Sequence, residues 1–290
     1  MALVARQLTR AEEVALLGVS PVDYGPEEGG LLQNTGEEFL TALRAWLREH
    51  HVDDWDRRGR TLLWHAAWGM ALAEKCAPPE DWVQLVRELL ARGANPRGSS
   101  SLNDTSALMW ACCSPTPLEM VPLLLDAGAD VCAKADFGHK GKTVLAFVFI
   151  DTHHSTRDTL KIVHMLLRAG ATLDGCCGQM SAEDLLNACC NQEPARELLQ
   201  RLSPRWPPAY ATDPHLAELK HVFRGIRSSR GSYARYVKKE VLVLLALVRK
   251  GRASTKWFYA GDHRTAFDML AKSPKYIAWH ILSFSVGMSK

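Results

Sequence analysis

The sequence contains no long apolar run. Its longest, Val241 to Val248, has eight residues, where a helix crossing a bilayer needs roughly 20. A membrane-spanning helix is therefore not expected. Arg6, Arg10, Glu12 and Glu13 break up the first eighteen residues, so no apolar core of a secretory signal is present there. Also missing are a CxxC pair, an HExxH helix, a GxSxG elbow and a GxGxxG turn, which removes the recognisable zinc, hydrolase and dinucleotide signatures. Of the eight cysteines, six stand as adjacent pairs (Cys112–Cys113, Cys176–Cys177, Cys189–Cys190). Neighbouring cysteines rarely bridge each other, and a chain of 290 residues, 47% hydrophobic, has core enough without a disulfide framework. Reduced thiols in the cytoplasm, or the nucleus, are the expectation. Net charge is also scarce, at +3, which weighs against a chain devoted to nucleic acid.

That small net charge hides a gradient. Met1 to Trp55 carries four basic and ten acidic side chains, a balance of −6, while Leu219 to Lys256 carries eleven basic and one acidic, a balance of +10. An asymmetry of this kind is a clue to partners.

What the sequence does have is self-similarity. LLARGANP (Leu89 to Pro96), LLLDAGADV (Leu123 to Val131) and LLRAGATL (Leu166 to Leu173) each set a leucine pair before a glycine and an alanine after it. This is the chemistry of a helix C-terminus whose last residue turns left-handed, which glycine does at no steric cost. A second signature precedes each ending. DRRGRTLLWHAA (Asp56 to Ala67), SALMWAC (Ser106 to Cys112), GKTVLAF (Gly141 to Phe147), SAEDLL (Ser181 to Leu186) and RTAFDMLA (Arg264 to Ala271) start helices behind a hydroxyl cap, with β-turn glycines at Gly59 and Gly141. The caps Thr61, Ser106, Thr143 and Ser181 lie 45, 37 and 38 residues apart, and the closing glycines Gly93, Gly128 and Gly170 lie 35 and 42 apart. Gly251 follows 81 residues later, room for two repeats, so TDPHLAEL (Thr212 to Leu219) and YARYVKKEVLVLLALVRKG (Tyr233 to Gly251) are expected to form a degenerate helix pair.

These residues resemble the ankyrin repeat, with its period of about 33, its β-turn, its two helices and its T-P-L-H-x-A signature. The resemblance spans about His50 to Phe284. It implies an all-α, ankyrin-type helical solenoid of about six helix-turn-helix repeats with an N-terminal helical extension, in which each helix pair buries its apolar face on its neighbours. The pattern departs from the family at the histidine place, held by Trp64, Met109, Ala146 and Asp184, and by insertions near Met70 to Glu80, Thr152 to Thr156 and Gly225 to Gly231. Ahead of the array, Thr9 with Glu12 and Thr35 with Glu38 are capping boxes for a short helix ending at Gly18 and a longer one from about Gly36 to Glu49. The expected organisation is an extension over residues 1–35, a capping helix and four repeats over 36–202, and a basic repeat with a terminal repeat over 203–290.

Candidate chemistry is thin. FGHKGKT (Phe137 to Thr143) ends like a phosphate loop, but Asp136 stands where GxxxxGK[ST] needs glycine, and the β-turn already accounts for Gly141. Cys112–Cys113 and Cys189–Cys190 fall two repeats apart, about 20 Å at the usual helix spacing, too far to share a zinc. The pairs His50–His51 and His153–His154 fall at turns and read as surface residues. Catalytic residues, a metal and a cofactor are therefore not expected.

The array instead implies recognition of another protein. In ankyrin-like stacks the first helices and hairpin tips line a concave groove. By register the tips present Arg57, Arg58 and Arg60, then Leu102, Asn103 and Thr105, then His139, Lys140 and Lys142, while Trp68, Cys113, Ser114, Ile150 and Asp151 border the groove. Trp68 and Trp110 are candidate apolar anchors, and the cationic tips suit carboxylates on an acidic partner surface. The second candidate is the basic stretch Arg224, Arg227, Arg230, Arg235, Lys238 and Lys239 (RGIRSSRGSYARYVKK). Tyrosines interleaved with cations there suit an acidic protein or a phosphate backbone equally, though a solvated helix face is the plainer explanation, because VLVLLALV packs inward on the same helix.

Overall fold

The computed structural model of the chain describes residues 4–17, 36–68, 79–98, 105–135, 141–150, 154–189 and 213–249. It divides into two units, Met1–Leu219 and Lys220–Lys290. Helices dominate. In chain order they are α1 (Arg10–Leu17), α2 (Gly36–Glu49), α3 (Leu62–Trp68), α4 (Pro79–Ala91), α5 (Ala107–Ala111), α6 (Pro117–Asp126), α7 (Val144–Ile150), α8 (Thr156–Ala169), α9 (Ala182–Cys189), α10 (Pro214–Ser228) and α11 (Tyr233–Arg249). Two two-residue strands, β1 (Lys134–Ala135) and β2 (Lys142–Thr143), pair antiparallel ahead of α7.

In the first unit a short helix and a longer one alternate three times: α3 with α4, α5 with α6, α7 with α8. The long helices end alike. Gly93, Gly128 and Gly170 have φ of +87°, +90° and +106°. The alanine after each donates its N–H to a leucine carbonyl five residues back, Ala94 to Leu89 at 3.0 Å, Ala129 to Leu124 at 2.9 Å and Ala171 to Leu166 at 2.9 Å. This is the Schellman closure that the leucine-glycine-alanine endings predict. Three of the four expected hydroxyl caps are made: Thr61 Oγ1 accepts from Trp64 N at 3.3 Å, Ser106 Oγ from Met109 N at 3.4 Å and Ser181 Oγ from Asp184 N at 3.2 Å. Thr143 differs. It lies in β2, and its own N–H donates to the Cys176 carbonyl at 2.8 Å, tying one hairpin to the next.

The short helices stack α3 on α5 on α7 and the long ones α4 on α6 on α8. The short helices are buried nearly all round: Leu62 to Ala67 in α3, and Ala107, Leu108, Met109 and Ala111 in α5. Leu85, Leu89, Met120, Leu124, Val163 and Leu166 supply the core side of the long helices. A further staple recurs. Four residues beyond a closing glycine, Arg97 Nε donates to the Gly128 carbonyl at 2.9 Å, and the Cys132 thiol reaches the Gly170 carbonyl at 3.7 Å. Each turn thus satisfies a carbonyl left over at the end of the next long helix.

The capping box at α1 forms as expected, with Glu12 N donating to Thr9 Oγ1 and Thr9 N to Glu12 Oε2 at 2.7 Å. The segment before α1 is bound to the first hairpin: Gln7 bridges Trp55 in parallel, and Trp55 bridges Thr61 antiparallel. Helix α2 spans the predicted Gly36–Glu49, while its expected cap Thr35 lies outside the described residues, as do Gly251 and the terminal repeat at Arg264 to Ala271.

The second unit holds most of α10, and α11. The predicted insertion at Gly225 to Gly231 is instead the end of α10 and the tight turn into α11. Gly225 is a packing glycine: a Cβ there would fall 2.2 Å from the ring of Tyr236. Arg230 takes the left-handed place at the helix end with φ +57°, and Gly231 N donates to Ile226 O at 3.0 Å.

Candidate functional site

The short helices bring four aromatic rings into a row. Trp64 and Trp68 of α3 both meet Trp110 of α5, at 5.6 and 5.2 Å between centroids, and Trp110 meets Phe147 of α7 at 5.7 Å. Tilted and edge-on contacts at these separations are the favourable ones for aromatic pairs. Trp64 is in the core and anchored there, its indole N–H donating to the Thr105 carbonyl at 3.0 Å. Trp68 and Trp110 are half-buried. Trp110 is therefore the hub of the row, meeting the other three rings, and the two candidate anchors Trp68 and Trp110 keep part of their surface exposed while Trp64 and Phe147 are core.

Cations stand on the hairpin side of the row. The Arg60 guanidinium lies 5.2 Å from the Trp64 ring, and the Lys142 ammonium 5.8 Å from the Phe147 ring, both within cation–π range. Arg60 also pairs with Asp56 at 2.6 Å. Asp56 organises the whole first turn: one oxygen accepts from the backbone N–H groups of Arg58 and Arg60 at 2.8 and 2.9 Å, and the other lies 3.2 Å from His65 Nε2. Burial pushes the Asp56 carboxyl up, but the His65 hydrogen bond and the charges beside it outweigh burial and hold it at about 2. Burial pushes His65 down, favouring its neutral form.

The expected tip residues thus divide. Arg60 is committed to Asp56 and Trp64. Lys142 is not a tip residue: it is 2% exposed, in β2 immediately before α7, with its ammonium over the Phe147 ring. Thr105, expected at a tip, is fully buried beneath Trp64, and Cys113 and Ser114 are core rather than groove border. Arg57 is 44% exposed along its side chain and pairs with Glu13 at 3.1 Å. Arg58 is half-buried. His139, Lys140, Leu102, Asn103 and Asp151 lie outside the described residues. His50, read as a surface residue, is buried. Its ring stacks on Trp46 at 3.6 Å and lies 3.4 Å from Glu12. Composition could not have flagged Glu13, Asp56 or Phe147, because their roles depend on neighbours 35 or more residues away or on a turn's internal bonding.

Residues 103–136, which contain α5, α6 and the Gly128 closure, match the ankyrin-repeat family model. The chain carries an ankyrin repeat. Ankyrin repeats are protein-interaction modules, typically without catalysis, and this repeat supplies Trp110 to the aromatic row. No curated protein matches the sequence. Around the ankyrin repeat, α3–α4 and α7–α8 reproduce its short-helix, long-helix, left-handed-glycine order.

Two clusters resemble catalytic groupings and fail on geometry. Thr156, Asp213 and His215 meet between the N-termini of α8 and α10, with Thr156 Oγ1 donating to Asp213 at 2.8 Å. Both Thr156 and Asp213 approach the same ring nitrogen, His215 Nδ1, at 3.4 Å. A nucleophile–base–acid relay needs the two imidazole nitrogens separately, so the cluster is a helix cap, Asp213 Oδ1 also accepting from His215 N at 2.8 Å. The thiols are the other. Burial pushes Cys112 far up and Cys176 to about 11, leaving them protonated and poor ligands or nucleophiles. Among the described residues no group of three or more metal-binding side chains gathers, and no helix is long and apolar enough to cross a membrane.

In the second unit, Arg224, Arg227, Arg230, Arg235, Lys238 and Lys239 are all exposed. They surround an apolar side made by Val222, Phe223, Ile226 and Tyr236. Charges placed so on two amphipathic helices serve solubility and are also open to an anionic surface.

Proposed function

We propose that this protein is a non-catalytic adaptor or scaffold of about six ankyrin-type repeats, which captures an acidic partner protein along the short-helix side of the stack. The observation that carries this reading is the aromatic row with its half-buried members Trp68 and Trp110, on a stack whose first hairpin also carries Arg57 and Arg58. Aromatic and arginine side chains in this mixture dominate the energetics of protein interfaces. The cytoplasm or nucleus suits the five free thiols among the described residues.

A photo-crosslinking amino acid at position 68 tests the site. It should trap a partner in cells, with trapping lost on Trp110→Ala and on the pair Arg57→Glu with Arg58→Glu while helicity is unchanged. A probe at Arg168, on the exposed end of α8, should trap nothing. Equal trapping at both positions would defeat the assignment. A second reading rests on the exposed basic residues from Arg224 to Lys239, which suit nucleic acid or another polyanion. Binding that weakens steeply with salt and disappears on neutralising Lys238 and Lys239 would favour it.

A further inference from the structure

The first hairpin already holds a ligand. Residues 6–8 lie along Trp55 as an added strand: Leu8 N donates to Trp55 O at 2.7 Å, Trp55 N to Arg6 O at 3.1 Å, and Arg6 N to Asp54 Oδ1 at 2.8 Å. The chain then turns through the Thr9–Glu12 box into α1, where Glu13, 4% exposed, accepts from both the backbone N–H and the guanidinium of Arg57. Leu8 and Leu16 are buried on either side of this polar seam.

Two features mark this docking as exchangeable. A helix of eight residues is not stable by itself in water, so α1 depends on the surface it sits on. The groups it satisfies are the N–H and C=O of Trp55, an edge that any extended backbone can pair with. Specificity comes from the charge match at Arg57 and from the spacing, five residues, between the strand leucine Leu8 and the helix glutamate Glu13.

We propose that the Asp54–Arg57 edge is a docking site for a segment of a partner protein that runs extended for three residues, caps a helix with Ser or Thr, and places a glutamate in that helix's first turn. Residues 6–13 are its resident pseudoligand, and the partner enters by displacing them. This inference rests on the reading of the hairpin tips as recognition elements. It supplies the partner's sequence pattern and makes access to Arg57 conditional.

The test uses full-length chains and a fluorescent peptide of residues 4–17. In the native chain the resident segment competes at high effective concentration, so added peptide should bind weakly. Glu13→Arg in the chain should weaken the resident segment and raise affinity for the native peptide at least about tenfold, since one lost charge-assisted contact is worth roughly that factor. A peptide carrying Glu13→Arg should not bind that chain. Arg57→Glu in an otherwise native chain should reverse the preference, so that the altered peptide binds and the native one does not. Equal binding of both peptides, or no binding by a chain whose circular dichroism is native, overturns the proposal. Should the Glu13→Arg chain fail to fold, hydrogen exchange on the native chain decides. Excess peptide should accelerate exchange in residues 4–17 while α4 to α8 stay protected, and unchanged exchange overturns the proposal. A concentration-dependent dimer of the native chain would make the occupant a second copy and overturn the partner reading. Cross-linking at position 68 reports the groove separately, so its failure and this one are distinguishable.

Discussion

The ankyrin repeat with its two flanking helix pairs and the α10–α11 hairpin solve the same problem, closing one helix and starting the next, with different residues. In the first unit α4, α6 and α8 each close on a glycine, at 93, 128 and 170, and α3, α5 and α7 are buried nearly all round. In the second, α10 ends on a left-handed arginine, and both helices are long, each with an exposed basic side. Burial explains the contrast. A short helix sandwiched between neighbours needs apolar or small side chains on every side, and its connection must be tight and strain-free. A helix with one free side can carry charge there and tolerate a strained closure.

The largest effect that would break this comparison comes from the aromatic row. Phe147→Ala should cost about 3–5 kcal/mol, because Phe147 is fully buried at the row's end, and thermal unfolding should show α7–α8 losing order first. Next comes the turn acid. Asp56→Asn keeps the shape but removes the charge that holds Arg60 and His65, with an expected loss of about 2 kcal/mol. The native chain should show the same dependence against pH. The Asp56 carboxyl is depressed to about 2 from its ordinary value of 3.8, so its stabilisation is present above the unfolded value and lost as pH falls through the folded one. His65 is also depressed, so stability begins to fall below its unfolded value of about 6.5. Denaturant midpoints measured from pH 7 to pH 2.5 should decline throughout, and less steeply in Asp56→Asn between pH 4 and pH 2.5.

Smaller effects compare the closures directly. Gly128→Ala forces a Cβ into a left-handed backbone at φ +90°, costing about 1 kcal/mol. Nothing lies within 4 Å of that Cβ, so the cost is conformational rather than steric. Arg230→Gly should do the opposite, stabilising the hairpin by about 0.5–1 kcal/mol, read as a higher denaturant midpoint for α10–α11. A loss of stability there would mean that the Arg230 side chain contributes more than its backbone costs.

Much of the scaffold was legible in advance, and for a local reason. Gly93, Gly128 and Gly170, the caps Thr61, Ser106 and Ser181, and the Thr9–Glu12 box each act within about five residues of themselves, so their spacing in the chain is their structure. The Gly225 to Gly231 stretch reads as an insertion because its two glycines and two serines look like a loop. What makes it a helix end is the Tyr236 ring against Gly225, which no local pattern announces.

The sequence by itself determined where helices stop and turn left-handed, because those choices are settled by backbone sterics and hydrogen bonds among near neighbours. Only the tertiary structure decided which charges remain available. Lys142 is buried over Phe147, Arg60 is held by Asp56 and Trp64, and Arg57 is engaged by Glu13 from 44 residues away. A side chain's freedom depends on what packs against it, and that is set by the stacking of distant segments rather than by its place in the chain.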